Sequence, residues 1–232
     1  MPDFEYKIIR RLRRRTTSIC VKADNTMIVS VPTLLSQKKI ALLVRDKSDW
    51  IRRRFRLNHE MRERFRPKQS VDGEAFPYLG RNYRLKLIEG KLEPARLSRG
   101  RLVVQIPPLD SGELRTAHIV EQLTDWYQKQ ALNHLTEKTE YFAESIGVTP
   151  AEIRVKSYKS RWGSCHVDGR IFYNWRIIMA PHAVVDYLVV HELCHLIHHN
   201  HSQVFWQQVE SSMPDYRAAR AWLKENGPGL KL

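Results

Sequence analysis

The chain has 232 residues, with 39 Lys and Arg against 25 Asp and Glu, a formal charge of +14. It contains no run of 18 apolar residues, which excludes a membrane-spanning helix. Its three cysteines, Cys20, Cys165 and Cys194, are odd in number and widely spaced, which fits a reducing cytoplasm without a disulfide framework.

The length suits one or two domains with a sizeable core. The start, Met1-Pro2-Asp3-Phe4-Glu5, lacks the apolar core of a secretory leader, so a cytoplasmic location is expected. Charge is unevenly spread: residues 1–100 hold 25 Lys/Arg and 11 Asp/Glu, whereas residues 101–232 hold 14 of each. The densest runs are Arg10-Arg11-Leu12-Arg13-Arg14-Arg15 and Arg52-Arg53-Arg54-Phe55-Arg56, continuing to Arg62, Arg64 and Arg66. Such clusters attract phosphate backbones. Arg13, Arg14, Arg15, Arg52, Arg53 and Arg54 are therefore the candidate contacts to DNA or another polyanion. A solvated helix face, partly balanced by Glu60 and Glu63, accounts for the second run equally simply.

In chain order, Thr16–Ala23 and Met27–Val31 predict two strands around a turn at Asp24-Asn25-Thr26. Ser36 to about Arg66 predicts a helix whose apolar face is Ile40, Leu43, Val44, Trp50, Ile51 and Phe55, with a break at Asp46-Lys47-Ser48. Short strands are expected around Phe76–Leu79, Tyr83–Leu87 and Arg101–Ile106. Pro107-Pro108 reads as a linker and coincides with the change in charge, which predicts a basic β-rich region over 1–108 and a second domain over 109–232. Beyond it come a long helix from Gly112 to about Ile146 and a strand at Ile153–Val155. A hairpin of Trp162–His166 with Arg170–Asn174 turns at Asp168-Gly169. A helix then starts near His182 behind Pro181, and two more are expected at Phe205–Ser211 and Tyr216–Lys224. The small sheet packed on the helix makes the fold class α+β.

The chemistry is concentrated in His191-Glu192-Leu193-Cys194-His195, with His201 six residues later. Histidines four apart on a helix share a face and can reach one zinc ion. The neighbouring glutamate is placed to take a proton from the attacking water. The residues before and within the motif, from Ala183 to Ile197, are largely apolar, so the helix is expected to be buried, where paired imidazoles need a partner. One Zn2+ per chain is the expected cofactor, and a zinc hydrolase acting on a protein or peptide is the expected activity. A catalytic zinc takes three protein ligands. On a continuous helix His199 would lie roughly 12 Å from His191, so the chain must turn first. Asn200 suits the left-handed residue that ends a helix, which points to His201 as third ligand, with Glu210 as the alternative. His198 and His199 are then surface or supporting residues.

An ordered series of motifs resembles the YgjP-like family of metal-dependent hydrolases. It runs Lys159-Ser160-Arg161-Trp162-Gly163-Ser164-Cys165, Asn174-Trp175-Arg176, Ala180-Pro181, the His191–His195 motif, Asn200-His201-Ser202, Phe205-Trp206 and Pro214-Asp215-Tyr216. The N-terminal arginine run, Val31-Pro32 and Tyr78-Leu79-Gly80 extend the resemblance over nearly the whole chain. That family is similar to the SprT/Spartan-like and WLM zinc metallopeptidases, some of which cleave proteins crosslinked to DNA. The resemblance implies a zincin-like metallopeptidase domain over 109–232, with His191, His195 and His201 as ligands and Glu192 as the catalytic base.

In such an enzyme Glu192 would accept the water proton and pass it to the leaving amine. Tyr216 is a candidate donor to the oxyanion, with a core role as its alternative. Trp162 and Asn174, on the hairpin, are candidate substrate contacts, because an edge strand can pair with an extended peptide. Two other classes share these features: a polyanion-binding module with a structural zinc, and a zinc hydrolase of a non-peptide bond.

Overall fold

The computed structural model describes residues 4–108 and 112–232, and divides the chain into two compact units, Met1–Arg66 and Pro67–Leu232. Among the described residues no helix is long and apolar enough to cross a membrane.

The first unit is a three-stranded sheet with two helices. Strands β1 (Lys7–Arg11), β2 (Ser18–Val21) and β3 (Met27–Pro32) lie in the order β1-β3-β2. The pairing is parallel for β1 and antiparallel for β2, so Ile8 and Ile19 flank Val29. Asn25 takes the positive φ of the β2–β3 turn, and the Asp24 carboxylate accepts from the Thr26 backbone N–H at 2.8 Å. Helix α1 (Gln37–Asp46) begins at Ser36, whose hydroxyl accepts from the Lys39 N–H. It breaks at Lys47, and α2 (Ser48–Arg64) follows. Val21, Met27, Val29 and Val31 of the sheet meet Ile40, Val44 and Ile51 of the helices in one small core. Asn58 of α2 donates to Lys22 O and Asn25 Oδ1, and Arg62 donates to Ala23 O, which ties the helix to the hairpin turn.

β1 was not expected. Its basic sequence gives no alternation, and it becomes a strand by pairing with the apolar β3. The arginine run is accordingly part of the fold: Arg10 donates to Thr33 O and Leu35 O, both at 2.7 Å. Arg14 donates to Thr16 O and Ser18 Oγ, also at 2.7 Å. These bonds give Arg14 a part in the fold; Arg13 and Arg15 are exposed, as are Arg52, Arg53 and Arg54 on α2.

In the second unit, β4 (Ala75–Tyr78), β5 (Arg81–Glu89), β6 (Arg96–Ser98) and β7 (Arg101–Ile106) form a sheet in the order β4-β5-β7-β6. The 34-residue helix α3 (Glu113–Ile146) follows, stopped by the left-handed Gly147. A second sheet, in the order β8-β10-β9, combines β8 (Glu152–Lys156), β9 (Gly163–Cys165) and β10 (Arg170–Asn174), with β9 and β10 joined through Asp168-Gly169. A 3-10 helix, Trp175–Met179, leads into α4 (His182–Cys194), followed by α5 (Gln203–Ser212) and α6 (Tyr216–Asn226).

The expected boundary at 108 is replaced by one at Arg66/Pro67, because burial joins what the linker signal divides. Phe76, Leu85, Leu102 and Val104 of the four-stranded sheet share one core with Leu123, Tyr127 and Leu135 of α3 and with Val185 and Val189 of α4. Tyr127 Oη donates to Pro77 O at 2.7 Å, and the Leu79 N–H donates to Ile178 O at 2.8 Å. A Cβ at Gly80 would stand 3.1 Å from Pro181 Cα, so this turn meets the start of α4 closely only as glycine. The fold class is α+β, as expected.

Candidate metal centre

α4 is apolar on every side and correspondingly buried; Val185, Val189, Val190, Leu193 and Cys194 are fully enclosed. Its last turn presents His191 and the cap residue His195 from one face. The chain then leaves the helix at Cys194, earlier than expected, and Asn200 does not adopt a positive φ. Instead the Asn200 side chain accepts from the Ser202 N–H at 3.1 Å, which sets the turn into α5 and brings His201 back over the helix.

Ligand atoms of His191, His195 and His201 all lie within 4.8 Å of one another. The Nε2 atoms of His191 and His201 face each other at 3.1 Å. Two nitrogens bound to one tetrahedral zinc at roughly 2.0–2.1 Å stand about 3.3 Å apart. His195 places Nδ1 2.9 Å from His198 O; donating to that carbonyl leaves Nε2 as the ligand atom. Burial, then the neighbouring His195, His201 and Arg220, push the His191 pKa down to about 3, which keeps the imidazole neutral as a ligand must be. Its buried Nδ1 has no hydrogen-bond partner among the described residues. Three converging imidazoles, joined by no carboxylate among the described residues, fit a divalent metal ion.

Phe205 holds the three rings in place, with its centroid 5.0 Å from His191, 4.5 Å from His195 and 4.9 Å from His201. Trp206 stacks on His201, and Tyr216 stacks on Trp206.

Glu192 follows His191 on α4 and is only 4 % exposed. Burial pushes its carboxyl pKa up to about 8, opposed by the Arg161 guanidinium. It reaches this position because β9 runs across α4 with a glycine at the crossing. A Cβ at Gly163 would stand 2.7 Å from Glu192 Cδ and 2.8 Å from Cγ. β9 is an edge strand of its sheet.

The other sequence-derived candidates have different positions. Asn174 is buried and committed: its amide nitrogen donates to Tyr158 O and Arg161 O, and its oxygen accepts from the Arg176 N–H. It pins the loop before β9 rather than facing a substrate. Trp162 is half-buried against Gly227, and its carbonyl accepts from the Asn174 N–H at 2.7 Å. Tyr216 is 4 % exposed within the aromatic stack. Glu210, the alternative third ligand, is held by Arg217 at 2.6 Å and lies outside the histidine cluster. Sequence reading missed the ring-orienting role of Phe205, four residues after His201, and the proximity of Gly163 to Glu192.

No curated protein matches the chain significantly. A solved structure, the metallopeptidase zymogen of Pyrococcus abyssi abylysin, is similar to it at 22 % identity, over 40 % of this chain and 92 % of that one, with a TM-score of 0.36. The profile of the YgjP-like metallopeptidase domain matches residues 15–226, almost the entire chain. The sequence from the arginine run to the last helix, with its histidine cluster and buried glutamate, thus belongs to the YgjP-like family of metallopeptidases.

Proposed function

We propose that this metal-dependent peptidase is a zinc enzyme in which His191, His195 and His201 hold one ion and Glu192 is the proton carrier. The observation that carries this reading is the convergence of three histidine ligands at the end of the helix that carries the buried Glu192 carboxyl group. When bound, zinc lowers the pKa of water and polarises a carbonyl. Burial alone favours the protonated carboxyl of Glu192, whereas a dication held by the histidines would favour the carboxylate. In that form Glu192, held against Gly163, would accept a proton from the attacking water and deliver it to the leaving amine nitrogen. β9 is an edge strand, and the backbone of an extended peptide substrate would pair with it.

A structural zinc would call for a fourth protein ligand. Among the described residues the cluster contains three histidines, and neither Cys165 nor Cys194 joins it. The catalytic reading is preferred on that ground.

The proposed substrates are proteins associated with nucleic acid. The support is charge: the unit Met1–Arg66 holds 18 Lys/Arg against 7 Asp/Glu. Three unpaired cysteines support a cytoplasmic setting. The test is Glu192→Gln. It is expected to keep its zinc and lose peptide hydrolysis by about 100-fold or more; turnover at the wild-type rate would remove Glu192 from this role.

A further inference from the structure

α2 carries a tryptophan that its core does not use. Trp50 is 47 % exposed, although the next residue, Ile51, is fully buried. Helical spacing from α1 would place Trp50 on the apolar face, but the break at Lys47 restarts the helix and leaves the indole outside.

There it borders a groove of about 400 Å³, whose apolar walls come from Ile19, Val29 and Leu43. Ser18 and Lys47 supply polar groups to the same groove. Arg53 and Arg54 follow Trp50 at i+3 and i+4, so they emerge on its side of the helix, and both are exposed. Arg53 also lines a second depression on α2, of about 310 Å³, with Arg52, Arg56 and the acidic Asp49. Asp46 pairs with Lys47 at 3.7 Å between well-exposed side chains, a weak and screened interaction. The unit as a whole has an excess of 11 positive charges.

We propose that this groove is a docking surface for single-stranded nucleic acid, with a base stacked on Trp50 and adjoining phosphates met by Arg53 and Arg54. The inference rests on the reading of the basic unit as a polyanion binder and names the class of polyanion. Basic side chains alone would accept any phosphate backbone. An exposed indole at an apolar groove adds something a duplex cannot use, because its bases are stacked on one another. A single strand offers free base faces, and stacking on an aromatic ring is its common mode of capture. An anionic lipid surface would be met by protruding apolar side chains; Leu12 and Leu34, which protrude from this unit, do not line the groove. Here the indole borders a concavity, which suits a planar ring.

The test uses the full chain and a short fluorescein-labelled oligothymidylate, with a matched duplex, heparin and phosphatidylglycerol vesicles as competitors. The single strand is expected to bind more tightly than the duplex and more weakly as salt rises. Trp50→Ala should weaken binding about tenfold, whereas Trp50→Phe keeps most of it. The pair Arg53→Gln and Arg54→Gln should reduce the salt slope by about 0.7 for each phosphate no longer neutralised. If Trp50→Ala does not fold, quenching of the emission that wild type has and Trp50→Phe lacks reports the same stacking. Equal affinity for duplex and single strand, preference for vesicles, or full affinity in Trp50→Ala would overturn the groove assignment. Failure to retain any polyanion, heparin included, would overturn it together with the polyanion reading. The zinc site enters neither result.

Discussion

The Cα of Gly163 packs against the carboxyl group of Glu192 so closely that a methyl group in its place would stand 2.7 Å from Glu192 Cδ. An edge strand and the glutamate of the metal-binding helix are thereby fitted to each other. Gly163→Ala is expected to displace the Glu192 carboxyl while leaving the three histidines where they are. Peptide hydrolysis should fall roughly 100-fold, the cost of a misplacement near 1 Å, with zinc content unchanged. Measuring both on one preparation separates this from unfolding; full activity would show that Glu192 does not depend on the close approach of Gly163.

The parts of the fold set by local signals were legible in the sequence. Asp168-Gly169 marked the β9–β10 turn, where Gly169 takes φ +82°, and Pro181 marked the start of α4. The parts set by distant partners were not. β1 owes its strand to pairing with β3, and the three-residue β6 to pairing with β7. The unit boundary was misplaced because Pro107-Pro108 and the charge step are visible locally, whereas the packing of Leu102 and Val104 with α3 and α4 is not. At the site, the spacing placed His191 and His195 on one face. The route that returns His201 depends on the Asn200–Ser202 turn and on Phe205, which spacing alone does not specify.

The Asn174 side chain makes three hydrogen bonds, to Tyr158 O, Arg161 O and the Arg176 N–H, from a buried position. Asn174→Ala removes all three and leaves two carbonyls without this donor. A loss of about 2–4 kcal/mol is expected from net values near 1 kcal/mol per bond. Denaturant unfolding measures it, and proteolysis should cut first within residues 157–162. A variant as stable as wild type would contradict the pinning role.

His134 on α3 predicts an acid-sensitive fold. Its pKa is lowered chiefly by burial, then by His182 and Lys138, with Glu137 and Asp186 opposing. The unfolded chain therefore takes up its proton first as pH falls. The stability that His134 contributes is complete above the unfolded value of about 6.5 and is lost as pH drops through the lower folded value. Thermal melts of metal-free protein at neutral and mildly acidic pH should show a smaller acid loss in His134→Gln than in wild type. Equal losses would show that His134 is not desolvated.

Metal stoichiometry bears most directly on the central claim. Elemental mass spectrometry of untagged protein, wild type beside His201→Ala, is expected to give about one zinc per wild-type chain and a clear loss in the variant, with hydrolysis lost in parallel. Wild-type protein that takes up no zinc after reconstitution, or a variant that holds it equally well, would contradict the three-histidine site.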